Sequence, residues 1–400
     1  MDIVIIAQYL RNIEQLEGNN SRFIYLANML SKDKLNKVEI ITSAFMHGTK
    51  RHAENVEQPD DFKITAINEP GYPKNICLKR FTSHKKLANN IKTYLNQRKK
   101  PDVIYCTIPS LDVADVVAGY CKKSNVKFII DIQDLWPEAF KMAVNIPVIS
   151  DIGFAPMKAQ ANRIYKQADE IVSVSETYCK RALSVNEKCK NFHTVFLGTK
   201  LETFDDNAKG PRNIIKKYDQ LWLMYCGSLS HSYDIKTVID ALAIVKDKMG
   251  EAPYFVVMGD GGLRNQFEKY AKERKVDCLF TGMLSYPEMC ATIVQGDMVV
   301  NPIIKGSPAS IINKHGDYAA AGLPVLNTQE SIEYRKLIDK YNMGLNCKCE
   351  NAEALAEKIM ILMKNESLRK KMGINARKCA EEKFDRKSSY KEIYNTIIGE

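Results

Sequence analysis

The sequence predicts an α/β protein of two doubly wound, Rossmann-like domains facing a cleft. Three observations carry this expectation. Short apolar, β-rich runs alternate with segments of helical spacing nearly throughout. The alternation breaks once, near Gly198 to Asn213, and then restarts. The 400 residues exceed what one hydrophobic core usually serves.

The elements follow in order. Asp2–Ala7 reads as the first strand. Asn20–Leu30 reads as a helix, with Phe23, Leu26, Ala27 and Leu30 on one face. Lys37–Thr42 and Phe62–Ile67 are strands, and Leu78–Gln97 is a helix. Strand Asp102–Cys106 leads to helix Leu111–Cys121. Strand Val126–Ile132 runs into the segment Gln133 to Glu138. Strand Glu170–Val174 precedes a helix from about Glu176. Such apolar runs suit a parallel sheet with helices on both faces.

The segment GTKLETFDDNAKGPRN has two Gly, one Pro and few apolar residues, and it reads as a linker. Beyond it lie strands Leu221–Cys226, Tyr254–Met258, Cys278–Phe280, Met298–Asn301 and Val325–Asn327. Helices Ile235–Lys248 and Leu263–Lys275 lie between them, and Asn351 to Ile398 is helical. The expected division is 1–200, 201–384, and a terminal helix 385–400 packing back on the first domain.

The composition is that of an ordinary soluble protein. No apolar run approaches the roughly 18 residues that would span a bilayer. The first apolar run is short and lacks a preceding basic region, so it reads as a core strand and not an export signal. A cytoplasmic protein is expected. Eleven scattered cysteines, an odd number, suggest reduced thiols. Cys347 and Cys349 form a lone C-x-C with no second ligand pair at metal-site spacing.

The net charge of +10 is unevenly placed. Lys74, Lys79, Arg80, Lys85, Lys86, Lys92, Arg98, Lys99 and Lys100 fall in a stretch with no acidic residue. Such a face suits an anionic membrane surface or a phosphate-bearing acceptor, and equally a plain solvated face. No nucleic-acid-binding motif accompanies it, so nucleic acid is not an expected partner.

Open parallel sheets bind ligands beyond the carboxyl ends of their strands, so chemistry is sought in the loops that follow. Gly227-Ser228-Leu229 follows one strand and Gly259-Asp260-Gly261-Gly262 another. Either suits an anion held by backbone N–H groups, or an ordinary tight turn. Gly306 to Asn327 combines more features. Ser307 and Pro308 suit a helix N-terminus, Ala319 to Ala321 allow close packing, and Gly322 with Pro324 ends the helix. Lys314 and Asp317 share a helical face. They suit a diphosphate and ribose hydroxyls respectively, or a surface ion pair.

The order of these pieces resembles glycosyltransferase family 4. The Gly turn, VVMGDGGLR, LFTGMLSYPEM and the Lys-x-x-acid-Tyr-x-Ala-Ala-Gly-x-Pro helix resemble that family's C-terminal domain. LEGNNSRFIYLANML looks like its Gly-containing loop and first helix. IDIQDLWPE looks like a segment of bacterial O-antigen and capsule polysaccharide enzymes, and IVSVSETY also fits. The resemblance implies the GT-B fold and retaining transfer of a sugar from a nucleotide sugar.

It also implies roles, residue by residue. Asp317 matches the second acid of the family's E-x7-E motif, which binds the donor ribose. The first acid falls at Ala309, leaving backbone N–H groups at Ser310, Ile311 and Ile312 in its place. The family's basic pair falls near Ser228 and Tyr233, neither of them basic, which leaves Lys314 to take the phosphates, with His231 a second candidate and Lys236 nearby. Met283 and Leu284 match the loop that cradles the base, and Glu288 sits beside it. Gly18, flanked by Asn19 and Asn20, matches the loop approaching the donor phosphate, and Arg22 faces the cleft or solvent. Asp134, like Glu138, sits where it would orient an acceptor hydroxyl or the donor sugar, or serve as a turn residue. Asp134 and Lys314 are the expected catalytic pair.

No Asp-x-Asp is present, so neither divalent metal nor other cofactor is expected. The expected donor is a UDP-sugar and the acceptor a lipid-linked saccharide, at the inner face of the plasma membrane. A sugar-nucleotide epimerase or an inactive partner subunit are the alternatives. A dinucleotide oxidoreductase lacks its G-x-G-x-x-G after the first strand.

Overall fold

The computed structural model describes residues 1–16, 21–75, 77–139, 153–217, 219–307 and 311–399. The chain divides into two compact units: Met1–Val195 with Tyr390–Glu400, and Phe196–Ser389.

The first unit holds strands β1 (Asp2–Ile6), β2 (Lys37–Ser43), β3 (Phe45–Met46), β4 (Arg51–His52), β5 (Lys63–Ile67), β6 (Val103–Ile108), β7 (Lys127–Ile132), β8 (Glu170–Ser173) and β9 (Phe192–Thr194). Seven of them form one sheet in the order β5-β2-β1-β6-β7-β8-β9, while β3 and β4 make a small hairpin. Every pairing in the large sheet is parallel. The strand order reverses at the boundary of β1 and β6, which makes this the topological switch point. Ile3, Ile5 and Ala7 enter a core with Leu26, Ala27 and Leu30 of helix Arg22–Leu30. Tyr390, Ile393 and Ile397 of the last helix, Arg386–Ile398, complete the same core.

The second unit repeats the plan with β10 (Trp222–Cys226), β11 (Tyr254–Met258), β12 (Cys278–Gly282), β13 (Met298–Asn301), β14 (Val325–Asn327) and β15 (Gly344–Asn346). The order is β12-β11-β10-β13-β14-β15, again parallel, with its switch point between β10 and β13. Alternate residues of β10 serve opposite cores, as the two-residue period of a strand demands. Leu223 and Tyr225 pack with helix Ile235–Met249, and Trp222 and Met224 pack with helices Tyr286–Ile293 and Asn313–Ala320.

The expected linker contains a helix instead, Leu201–Ala208. Leu201 and Phe204, one turn apart, are both buried in the second unit's core. Two apolar side chains at that spacing suffice to dock a two-turn helix, whatever the polarity of the residues between. The helical tail is likewise interrupted: Ala352–Lys364, Glu366–Cys379, one π-helical turn and Arg386–Ile398 follow one another. Among the described residues no helix is long and apolar enough to cross a membrane.

Candidate active site

At the switch point of the second unit, Gly227 lies close to both Gly259 and Lys314. Gly227 directly follows β10, and Gly259 (φ +156°) directly follows β11. The two backbones nearly touch there, and the Gly227 N–H donates to Met258 O at 3.0 Å. A Cβ on Gly227 would also lie 2.8 Å from Lys314 Nζ. The glycine therefore leaves the space that the lysine head occupies.

Lys314 lies in the first turn of helix Asn313–Ala320, which follows β13. The side chain is buried, and its Nζ sits 3.9 Å from the ring centroid of Tyr233 and 4.3 Å from that of Tyr225. Among the described residues the nitrogen has no hydrogen-bond partner. Burial pushes its pKa down to about 7, with Cys226 opposing weakly. Two ring faces attract an ammonium but do not replace a counter-ion. The expected alternative, a surface Lys–Asp ion pair, is not what forms. Asp317 instead accepts from Thr199 Oγ1 at 2.8 Å and Tyr286 OH at 3.0 Å. Burial raises its pKa, and those two hydrogen bonds hold it back.

Other expected residues fall as follows. Ser228 and His231 are exposed in the turn after β10, and the Ser228 carbonyl accepts from Tyr225 OH at 2.7 Å. Met283 is exposed and Leu284 half-buried, directly after β12. Ile311 is buried. The Ile312 N–H donates to His315 Nδ1 at 3.3 Å, so it is not the free anion donor that was expected. His315 can take this role because it is clamped, its ring stacked on Tyr334 at 3.5 Å between centroids. Ser307 lies six residues before the helix start and does not cap it, because Ile312 stands at the N-cap. Gly18, Asn19, Asn20, Pro308, Ala309 and Ser310 lie outside the described residues. Lys236 belongs to helix Ile235–Met249, its Nζ 4.7 Å from the ring centroid of Tyr270. Glu288 is a cap: it and Ser285 form the capping box of helix Tyr286–Ile293.

In the first unit, Asp134 follows β7 and is half-buried. Burial raises its pKa, while hydrogen bonds from Leu135 N–H and Trp136 and the charge of Arg80 lower it. Arg22 faces neither cleft nor solvent. It is buried, pairs with Asp131 at 2.9 Å and donates to Val195 O at 2.8 Å. Glu138 pairs with Arg181 at 2.6 Å. Of the nine basic residues, seven lysines are exposed, whereas Arg80 is buried and Arg98 is paired with Asp2 and Glu39. All eleven cysteines are free thiols, and Cys349 Sγ approaches Ile303 O at 3.1 Å.

Sequence reasoning missed a row of amides. Asn301, Asn327 and Asn346 end β13, β14 and β15 and stand in register. Asn301 Nδ2 donates to Asn327 Oδ1, and Asn327 Nδ2 to Asn346 Oδ1, both at 2.9 Å. This ladder fixes the strand end from which the Lys314 segment departs. The signal was present as Asn at the last position of two predicted strands.

Residues 207–379 match the family described as Glycosyl transferases group 1. Among relatives, the "uncharacterized glycosyltransferase MJ1069" of Methanocaldococcus jannaschii is 23% identical over 240 residues, 59% of this chain. The match spans 60% of that relative's own length. The Escherichia coli K12 protein WcaI, named as a glycosyl transferase of colanic acid biosynthesis, is 22% identical over 76% of this chain and 75% of its own. In structure, Anabaena Alr3699/HepE in complex with UDP superposes with a TM-score of 0.72 at 13% identity, covering all of both chains. Sucrose-phosphate synthase from Thermosynechococcus elongatus gives 0.69 at 14%, covering 100% of this chain and 99% of that one.

The fold is of the GT-B kind, and the stretch similar to the group 1 glycosyl transferases, residues 207–379, lies within the second unit.

Proposed function

We propose that the chain moves a sugar from a nucleotide-sugar donor, a UDP-sugar, to a lipid-linked saccharide in bacterial surface-polysaccharide synthesis. The transfer retains the anomeric configuration and needs no divalent metal. One observation carries the donor reading: a buried ammonium, Lys314 Nζ, without a hydrogen-bond partner among the described residues, at the switch point of the second unit. A cation so placed calls for an anion, and a nucleoside diphosphate supplies one where charge develops as the sugar leaves. The UDP bound by Anabaena HepE and the polysaccharide role in the name of WcaI support the donor and the pathway class.

In this reading Lys314 neutralises the departing diphosphate, and the free face of Asp317 takes ribose hydroxyls. The backbone of Met283 and Leu284 meets the base, with Gly227, Ser228, His231, Gly259 and the Ser310–Ile311 segment bordering the phosphates. Gly18 approaches the donor from the first unit, and Asp134 orients the acceptor hydroxyl. The exposed lysines from Lys74 to Lys100 hold the protein at the inner face of the plasma membrane, a cytoplasmic and peripheral placement.

The test is a panel of UDP-, GDP- and dTDP-sugars scored by thermal shift and turnover. UDP-sugars should raise the melting temperature and be consumed when a lipid-linked acceptor is present, and a chelator should leave the rate unchanged. Lys314→Ala should abolish the shift and cut turnover sharply with the circular dichroism spectrum intact. Unchanged turnover in that variant would sink the phosphate role.

A further inference from the structure

The first unit holds a separate concentration of positive charge that the donor reading does not use. Arg80 belongs to helix Leu78–Gln97 but faces inward, only 8% exposed. Its guanidinium carbon lies 4.8 Å from the Trp136 ring centroid, 5.6 Å from that of Tyr72 and 5.9 Å from that of Tyr9. Nη1 donates to Asn75 O at 2.8 Å and Nη2 to Tyr9 OH at 3.0 Å. Nε is buried and has no hydrogen-bond partner among the described residues. Lys50 joins the cluster, its Nζ 5.0 Å from the Tyr72 ring centroid and 2.5 Å from Asn75 Oδ1.

Among the described residues neither cation forms an ion pair. The carboxylates nearby are engaged elsewhere. Glu69 accepts from Ser43 Oγ and Ser83 Oγ, each at 2.5 Å, and Asp134 accepts from Leu135 N–H at 2.9 Å. The imidazoles register the resulting field. Burial pushes His47 down to about 4, with Lys50, Arg80 and Arg11 adding to it, and His84 down to about 3, with Arg80 and His47 adding. The residues come from segments that follow β1, β2, β5 and β7, at the carboxyl ends of the strands. Ligands of open parallel sheets bind at those ends.

A caged guanidinium whose Nε is unpaired and which forms no ion pair among the described residues is a poor structural cation but a good anion receptor. Its planar N–H groups match phosphate oxygens, and an aromatic wall lowers the local dielectric. We propose that Arg80 and Lys50 form an anion subsite that receives a phosphate ester or diphosphate group carried by the acceptor, with Trp136 beside it. This rests on the acceptor reading given above for the first unit, and it names the chemistry recognised there.

The chain has two tryptophans, Trp136 and Trp222, so a Trp222→Phe background leaves Trp136 as the sole indole reporter. That protein is titrated with inorganic pyrophosphate, glucose 1-phosphate and a short-chain prenyl diphosphate. A saturable change in Trp136 emission is expected. Tighter binding of the prenyl diphosphate identifies a lipid carrier, and tighter binding of glucose 1-phosphate identifies a phosphorylated saccharide. Arg80→Gln and Lys50→Gln should each raise the half-saturation concentration about ten-fold, the scale of one charge-assisted hydrogen bond. Lys50 is half-buried, so Lys50→Gln carries the comparison if Arg80→Gln does not fold. Lys314→Ala should leave the Trp136 response intact, which separates this subsite from failure of the donor reading. No response to any of the three compounds, or one that persists unchanged in the folded Arg80 and Lys50 variants, overturns the proposal.

Discussion

A Cβ placed on Gly259 would lie 1.8 Å from the carbonyl oxygen of Gly227. The obstacle is backbone, which cannot swing aside as a side chain can. Gly259→Ala should therefore destabilise the second unit by about 3 kcal/mol, the upper end of overpacking costs. Gly262, two glycines along the same turn, has nothing within 4 Å of its virtual Cβ. Gly262→Ala should change stability by no more than about 0.5 kcal/mol. Urea denaturation followed by Trp222 fluorescence compares the two, and equal costs would refute the close approach.

Lys314 gives a pH signature. Its folded pKa lies near 7, below its ordinary value of 10.5. Between these values the unfolded chain binds more protons than the folded one, so stability rises with pH from about 7 to 10.5 and is lost again as pH falls toward 7. Lys314→Met should flatten that rise in denaturation midpoints measured at pH 6, 8 and 10. A UDP diphosphate needs the charged form, so UDP binding above pH 7 should take up protons. Calorimetry in two buffers of different ionisation enthalpy reads that uptake, and zero uptake at pH 8 contradicts it.

The Arg22–Asp131 pair predicts asymmetry between single and double substitutions. Both side chains are buried, at 2% and 0% exposure. Arg22→Met leaves Asp131 unpaired and should cost about 3–5 kcal/mol. Adding Asp131→Leu should recover most of that loss, since a matched apolar pair carries no stranded charge. Additive losses in the double variant would show that the arginine acts through packing alone.

The exposed lysines predict salt-sensitive adhesion. Replacing Lys85, Lys86, Lys99 and Lys100 by Gln should release the protein from vesicles rich in anionic lipid, at about 1 kcal/mol per lysine close to the surface. Cosedimentation at low and physiological salt measures it. Wild-type protein that stays in the supernatant at low salt would end the membrane reading.

The sequence carried the central strands well, because a strand buried on both faces is an unbroken apolar run, as Trp222–Cys226 and Tyr254–Met258 are. Helix Leu78–Gln97 was legible to the residue from its inward stripe of Leu87, Ala88, Ile91 and Leu95. The edge strands β9 and β15 were not, since three residues leave too little pattern to read. Nor was helix Leu201–Ala208, whose two apolar anchors sit among acidic residues. At the site, Lys314 and Asp317 could be picked out by type and spacing. Their partners could not, because Tyr225, Tyr233, Thr199 and Tyr286 come from separate stretches of chain. Arg22 reads as facing the cleft or solvent for the same reason: Asp131 lies 109 residues away.

Tyr390, Ile393 and Ile397 have further meaning for biogenesis. They are fully buried in the core of the first unit, yet they are translated after the whole of the second. The first unit therefore leaves the ribosome early with an open apolar slot in its core, and it waits through some two hundred further codons for closure. A nascent chain in that state is a client for chaperones, and the second unit completes itself before the first.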